Sequence, residues 1–278
     1  MTEETRRKAA LVGAFERGAA TYEQLGVDFF GPPGVELVHR AGVRSGQRVL
    51  DVGCGRGAVL VPAARAVGAT GRVVGIDLAP TMVELTRAEV RAAGLSQVQV
   101  ELGDAESPAL PPGEFDVVLG GFVVFLLSDP AAALRGYRRL LCPDGRIGMT
   151  TFASQDPRFT EAMQMLVGYL PADRRRSPTS EHDALFATAE STAVLLRETG
   201  YRDVHVTDAA FESRFRDVEH WSAWIWSHGA RSLLEQIPAR RLPEALAEVT
   251  PVVERARAVA GDLVFTTTVR FAVAVSPG

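Results

Sequence analysis

Cysteine is nearly missing from these 278 residues: Cys54 and Cys142 stand far apart without metal-ligand spacing, which excludes a disulfide framework and a cysteine-held metal centre. Charge of one sign is also lacking. The 30 basic and 34 acidic residues are interspersed and leave a formal net charge of −4, so there is no global basic field to hold a nucleic acid. Nor is there a long hydrophobic run: the longest, VVLGGFVVFLL at 117–127, is broken by two glycines and falls well below the ~20 residues that cross a bilayer. The opening MTEETRRKAALVGAFERG mixes charges where a secretory leader is apolar, and no internal repeat or low-complexity tract follows. These absences lead to the expectation of a cytoplasmic protein with neither a membrane nor a nucleic-acid partner. A hydrophobic content of 46% supplies a large core for one domain with an elaborated cap.

What is present is an alternation of short β-type runs and helical ones. Strands are expected at 48–52, 72–77, 97–102, 115–119, 146–152, 204–211 and 264–275. Between them AVLVPAARAVG, PTMVELTRAEVRAAG and PAAALRGYRRLLCPDG carry apolar residues at helical spacing and close on a glycine, which accepts the left-handed conformation after a helix. Strands as continuously apolar as FDVVL are buried on both faces, so the fold class is α/β: a doubly wound, mostly parallel seven-stranded sheet with helices on both faces. Residues 1–40, 153–195 and 212–262 break the rhythm and are expected to form a helical cap on a single domain of 278 residues, whose remainder is a cofactor-binding half at 41–152 and a C-terminal half at 196–278. Ligands in such sheets bind outside the carboxyl ends of the strands, where a cap becomes a cover. Residues 1–40, with DFFGPPG, are expected to open and close as a lid.

The chemistry concentrates in VLDVGCGRGA at 49–58. Gly53, Gly55 and Gly57 follow a strand and open a helix, which lets a ligand lie against bare backbone. GCGRGA also satisfies the dinucleotide pattern G-x-G-x-x-G/A, with Asp77 at the distance of a ribose-binding acid, so a nicotinamide-dependent oxidoreductase is one candidate. Asp51 argues against it. A carboxylate two residues before the first glycine repels a pyrophosphate and attracts a cation. S-adenosylmethionine, with a sulfonium, an ammonium, a ribose and no phosphate, suits both acids.

The order of motifs over residues 35–152 resembles the class I S-adenosylmethionine-dependent methyltransferases of the small-molecule type. In that resemblance VLDVGCGRG, with Asp51, Gly53, Cys54 and Gly55, wraps the methionine moiety. VVGIDLAPTMVE supplies Asp77 for the ribose hydroxyls and Leu78 and Met82 for the adenine. GDAESPALP supplies Asp104 for the adenine amino group and the Ala105 amide for the ring. FDVVLGGFVVFLLSDP, with Gly120 and Phe122, resembles the fourth strand and its loop, and Tyr22 stands where relatives fold an N-terminal helix over the methionine end. Cys54 is otherwise packing, and Met82 fits a helix core equally well. LLCPDGRIGMTTF replaces the family's Pro-Gly-Gly turn with Pro143, Asp144 and Gly145, which aspartate tolerates because it accepts left-handed backbone.

The acceptor is less sharply written. Many relatives carry histidine after the fourth strand, where this chain has Phe125 and Leu126. Phe29, Phe30, Phe122, Phe125, Tyr169, Trp221 and Trp224 are candidates for an apolar pocket of the kind that takes small molecules. Arg174, Arg175 and Arg176 read as a solvated charge run rather than an anion clamp. Trp221, Trp224, Ile225 and His228 recur at helical spacing; His228 is either a core histidine with a backbone partner or a general base. Catalysis is expected to rest on positioning, which contributes roughly 7 to 11 kcal/mol to a favourable bimolecular step. The reading is therefore a methyltransferase acting on an oxygen, nitrogen or carbon of a small natural-product-like molecule or short peptide, with no metal. Its alternatives are carboxylate methylation without a base, the oxidoreductase, and a regulator that binds the cofactor without turnover. A homodimer through exposed aromatics is a further expectation.

Overall fold

The computed structural model describes residues 3–175 and 181–277. Seven strands, β1 (Arg48–Val52), β2 (Arg72–Asp77), β3 (Val98–Leu102), β4 (Phe115–Gly121), β5 (Leu141–Ser154), β6 (Arg202–Phe215) and β7 (Leu263–Val275), form one sheet in the order β3-β2-β1-β4-β5-β7-β6. β1 pairs in parallel with β2 and β4, β2 with β3, and β4 with β5. The chain reverses its direction across the sheet between β1 and β4, and this switch point opens the crevice in which α/β sheets take their ligands.

The helices are α1 (Glu3–Gly18), α2 (Gly31–Arg40), α3 (Leu60–Val67), α4 (Pro80–Ala92), α5 (Pro130–Leu140), α6 (Pro157–Gly168), α7 (Glu181–Ala187), α8 (Ala189–Glu198), α9 (Val218–Ile225), α10 (Arg231–Leu234) and α11 (Leu242–Glu254). Proline opens α4 and α5, where its missing N–H costs nothing, and Asp129 caps α5 by accepting from the Ala132 amide at 2.8 Å. None of the described helices is long and apolar enough to cross a membrane.

Packing divides the chain into two compact units. The larger comprises residues 30–153, 181–209 and 268–277. Its core joins Leu50, Val74, Phe115, Val118, Leu134 and Tyr137, with the Tyr137 hydroxyl donating to the Ala105 carbonyl at 2.6 Å. The smaller unit comprises residues 3–29, 154–175 and 210–267 and is organised around aromatic side chains. Phe215 lies 5.1 Å from Trp224 and 5.8 Å from Phe265, centroid to centroid, and Phe159 meets Trp221 at 6.4 Å. Asp156 starts α6 by accepting from the Arg158 amide at 2.9 Å, and it also pairs with the Arg158 guanidinium.

These boundaries differ from the expected cap segments 1–40, 153–195 and 212–262. α2 belongs to the sheet unit, because Gly34 backs so closely onto the glycine loop that a Cβ there would lie 2.1 Å from the Ala58 carbonyl oxygen. α7 and α8 belong there too: Phe186, Leu195 and Leu196 join the sheet core, and Arg270 binds both Asp208 oxygens at 3.0 Å and the Phe186 carbonyl at 3.1 Å.

Candidate active site

The loop after β1 is held from both sides. The Gly55 amide donates to Asp77 Oδ2 at 2.8 Å, and the Gly55 carbonyl accepts from the buried Thr86 hydroxyl of α4 at 2.7 Å. Asp77 Oδ1 accepts from the Ala79 amide at 2.9 Å. Two backbone amides from different segments thus fix the Asp77 carboxylate beside the glycine loop. Gly53 has φ 65°, and a Cβ there would stand 2.5 Å from Val123 Cγ2, which ties this loop to the segment after β4. Gly120 is buried beside the same valine, its Cβ position 3.2 Å from Val123 Cγ1.

Asp51 is the electrostatic anomaly. It is 1% exposed, and neither carboxylate oxygen has a hydrogen-bond partner among the described residues. Burial, and next the charge of Asp77, push its carboxyl well above the ordinary range; the Leu60 amide acts the other way without completing a hydrogen bond. Arg56 of the same loop pairs with Glu89 of α4. A buried carboxylate beside a second acid is costly unless a cation arrives. Among the described residues, no group of three or more His, Cys, Asp or Glu side chains could hold a metal ion.

The other cofactor candidates occupy graded positions. Leu78 is half-buried beside Asp77. Met82 is 1% exposed on the inner face of α4 with Val83, Thr86 and Val90, so its side chain belongs to the core. Cys54 packs its sulfur 3.0 Å from the position a Gly75 Cβ would take, and burial pushes the thiol up, which keeps it inert. Asp104 accepts from the Glu106 amide at 2.9 Å and so shapes its own turn, while buried Ala105 is anchored by Tyr137.

At the carboxyl ends of β4 and β5 runs a row of rings. Phe122 meets Phe30 at 5.4 Å and Phe152 at 4.8 Å; Phe125 meets Phe152 at 5.6 Å and Phe186 at 6.4 Å. Sequence reasoning missed Phe152, Phe186, Thr86 and Gly34. Only Thr86 left a trace there, as a polar residue one turn beyond Met82 on an apolar helical stripe.

Residues 49–145 match a family model described as a methyltransferase domain. The chain is 38% identical over 245 residues to the nocamycin O-methyltransferase of Saccharothrix syringae, spanning 84% of this chain and 88% of that protein. It is 39% identical over 203 residues to the aklanonic acid methyltransferase DauC of Streptomyces sp. (strain C5), spanning 70% and 92%. The chain is a class I S-adenosylmethionine-dependent methyltransferase. Among solved structures, this methyltransferase shares its fold with the YcgJ protein of Bacillus subtilis, with a TM-score of 0.58, 19% identity and coverage of 89% of this chain and 99% of that one. The [4+2]-cyclase SpnF shares it with a TM-score of 0.52, 21% identity and coverage of 89% and 80%.

The acid pair fits the cofactor of this methyltransferase, whose sulfonium and ammonium would supply the counter-charge that Asp51 lacks. Asp77→Ala is expected to weaken S-adenosylhomocysteine binding by at least about 1.5 to 3 kcal/mol, the range for hydrogen bonds to charged groups. It should also lower the melting temperature, because the Gly55 and Ala79 amides lose their acceptor. Isothermal titration and a thermal melt of the same sample check both.

The candidates from the smaller unit have structural partners of their own. Tyr22 is half-buried, its ring 6.2 Å from Phe15. Phe29 packs on Trp224 at 4.8 Å. The Tyr169 hydroxyl donates to Glu248, which pushes its pKa up to about 12, and Arg241 lies 4.4 Å over its ring. Trp221 is fully buried. Arg176 lies outside the described residues, whereas Arg175 donates to the Leu170 and Gly168 carbonyls.

His228 is not on the expected helical face. α9 ends at Ile225, and the Ser227 hydroxyl donates to the Trp224 carbonyl at 2.7 Å to finish it. The imidazole instead lies 4.1 Å from the Trp224 ring and parallel to Phe29 at 6.3 Å, with Nδ1 accepting from the Ala230 amide at 3.2 Å. Burial lowers its pKa to about 3, so it is neutral at working pH and a weak proton acceptor. Its charged form is disfavoured in the fold, so it costs no stability above the ordinary value of 6.5 and lowers stability as pH falls from there toward about 3. His228→Gln is expected to keep turnover within roughly threefold of wild type while lowering stability at neutral pH by about 1 kcal/mol through lost packing. A rate assay beside a urea melt checks it.

Proposed function

We propose that the methyltransferase transfers its methyl group to an already ionised oxygen, a carboxylate, of a flat aromatic small molecule. The observation that carries this reading is the row Phe30, Phe122, Phe152 and Phe125, which is apolar, contains no titratable side chain and adjoins the glycine loop through Val123. Rings presented edge and face favour a planar partner. A carboxylate needs no base at neutral pH. The relatives named for nocamycin O-methylation and for aklanonic acid support an oxygen acceptor and an acid.

When bound, S-adenosylmethionine supplies an activated methyl on a cationic sulfur, which is also the counter-charge of an anionic acceptor. The protein's part is placement. Asp51 would take the positive end of the cofactor, and Asp77, held by the Gly55 and Ala79 amides, would take the ribose. Leu78 and Ala105 would border the adenine and Asp104 would accept from it, while the phenylalanines would orient the acceptor and exclude water.

The test uses aklanonic acid as probe acceptor with S-adenosylmethionine, and the product is analysed by mass spectrometry and NMR. A methyl ester is expected. Methylation of amines but of no carboxylate across a panel of aromatic acids and amines would overturn the reading.

A further inference from the structure

Among the described residues, Phe122 is one of four non-glycine residues with positive φ, at 54°. A bulky side chain adopts that conformation only when its surroundings impose it. The restraint comes from β5. Thr150, 2% exposed, stands opposite Gly121 in the β4–β5 register, and its hydroxyl oxygen accepts from the Phe122 amide at 3.0 Å. Neighbouring glycines leave room for the turn: a Cβ on Gly121 would lie 2.6 Å from Val59 Cγ2.

The strained residue stands between two parts of the site. On one side Val123, the next residue, abuts the cofactor loop at Gly53. On the other, the Phe122 ring rests against Phe30 and Phe152. We propose that Thr150 is a positioning residue that fixes the acceptor wall against the cofactor loop by holding Phe122 in its left-handed conformation. This rests on reading the ring row as the acceptor wall. Without the hydroxyl, the Phe122 amide loses its partner and the residue relaxes toward negative φ, turning the ring and withdrawing Val123 from Gly53. Displacements of about 1 Å in reactant placement cost up to about a hundredfold in rate.

Thr150→Val removes the acceptor and keeps the shape; Thr150→Ser restores it. Crystal structures of both variants with S-adenosylhomocysteine, and hydrogen exchange of the Phe122 amide, read the positioning whichever acceptor is used. Negative φ at Phe122 and at least tenfold faster exchange in Thr150→Val, with both restored in Thr150→Ser, are expected. An unchanged φ would overturn the inference.

With aklanonic acid as probe, Thr150→Val should lose about tenfold in kcat, with KM and the S-adenosylhomocysteine Kd within about threefold, and Thr150→Ser should recover it. A lower melting temperature with unchanged kcat would make Thr150 scaffold only. Parallel loss of S-adenosylhomocysteine affinity would assign it to the cofactor loop. Either result overturns the inference. Failure of the wild type to methylate the probe counts against the acceptor class, and the structures and exchange rates then decide the role of Thr150 alone.

Discussion

Asp51→Asn is expected to make the cofactor-free enzyme more stable at neutral pH and a worse binder of S-adenosylmethionine. The carboxylate is buried without a hydrogen-bond partner beside a second acid, so its folded-state pKa lies above the ordinary 3.8. The folded chain therefore holds this proton more tightly than the unfolded chain. Its contribution favours folding below about pH 3.8 and is lost as pH rises through the folded value. Asparagine cannot titrate, so the melting-temperature difference between variant and wild type should widen across that window and then level off. Removing the anion should weaken S-adenosylmethionine by about 1.5 to 3 kcal/mol, roughly ten- to a hundredfold, and S-adenosylhomocysteine less, because its sulfur is uncharged. Melts against pH and titrations with both ligands check the two halves together.

Gly53→Ala should cost more than any other alanine substitution in the loop. The residue sits at φ 65°, which costs an L side chain roughly 1 to 2 kcal/mol, and the new Cβ would meet Val123 Cγ2 at 2.5 Å, an overpacking of about 1 to 3 kcal/mol more. Gly94→Ala is the control: φ is 68° and nothing lies within 4 Å of its Cβ position, so only the backbone cost applies. Urea melts of the two variants separate the contributions. Adding Val123→Ala to Gly53→Ala clears the contact. The double variant should regain stability but not S-adenosylhomocysteine affinity if the glycine is bare for a ligand; recovery of both would mean that it is bare for Val123 alone.

Much of the sheet was legible because its central strands are short continuous apolar runs between glycine or proline breaks. Strands expected at 48–52 and 72–77 coincide with β1 and β2, and the turn residue Asp144 takes the left-handed φ of 60° that its chemistry allows. β6 was read four residues short at its end because charged residues alternate along it, Asp208, Glu212 and Arg214 all exposed, and mask the pattern. Asp51 and Asp77 stand out in the sequence by sign and spacing, and the structure sets both beside the glycine loop. His228 was misplaced because a seven-residue helical period assumes the helix continues, and a serine finishing the last turn ends it three residues earlier. Thr150 left no trace, since its bond to Phe122 joins residues 28 apart through strand register. Local spacing encodes elements and loops; contacts set by register appear only when the sheet is assembled.

In the proposed reaction, placement with no protein base would move the methyl group to an anionic oxygen. The most direct measurement is the single-turnover rate with aklanonic acid from about pH 5.5 to about pH 9, in wild type and His228→Gln. A methyl ester formed at a rate level across that range and alike in both proteins is expected. An acid limb with an apparent pKa near the histidine range, abolished in His228→Gln, would contradict it.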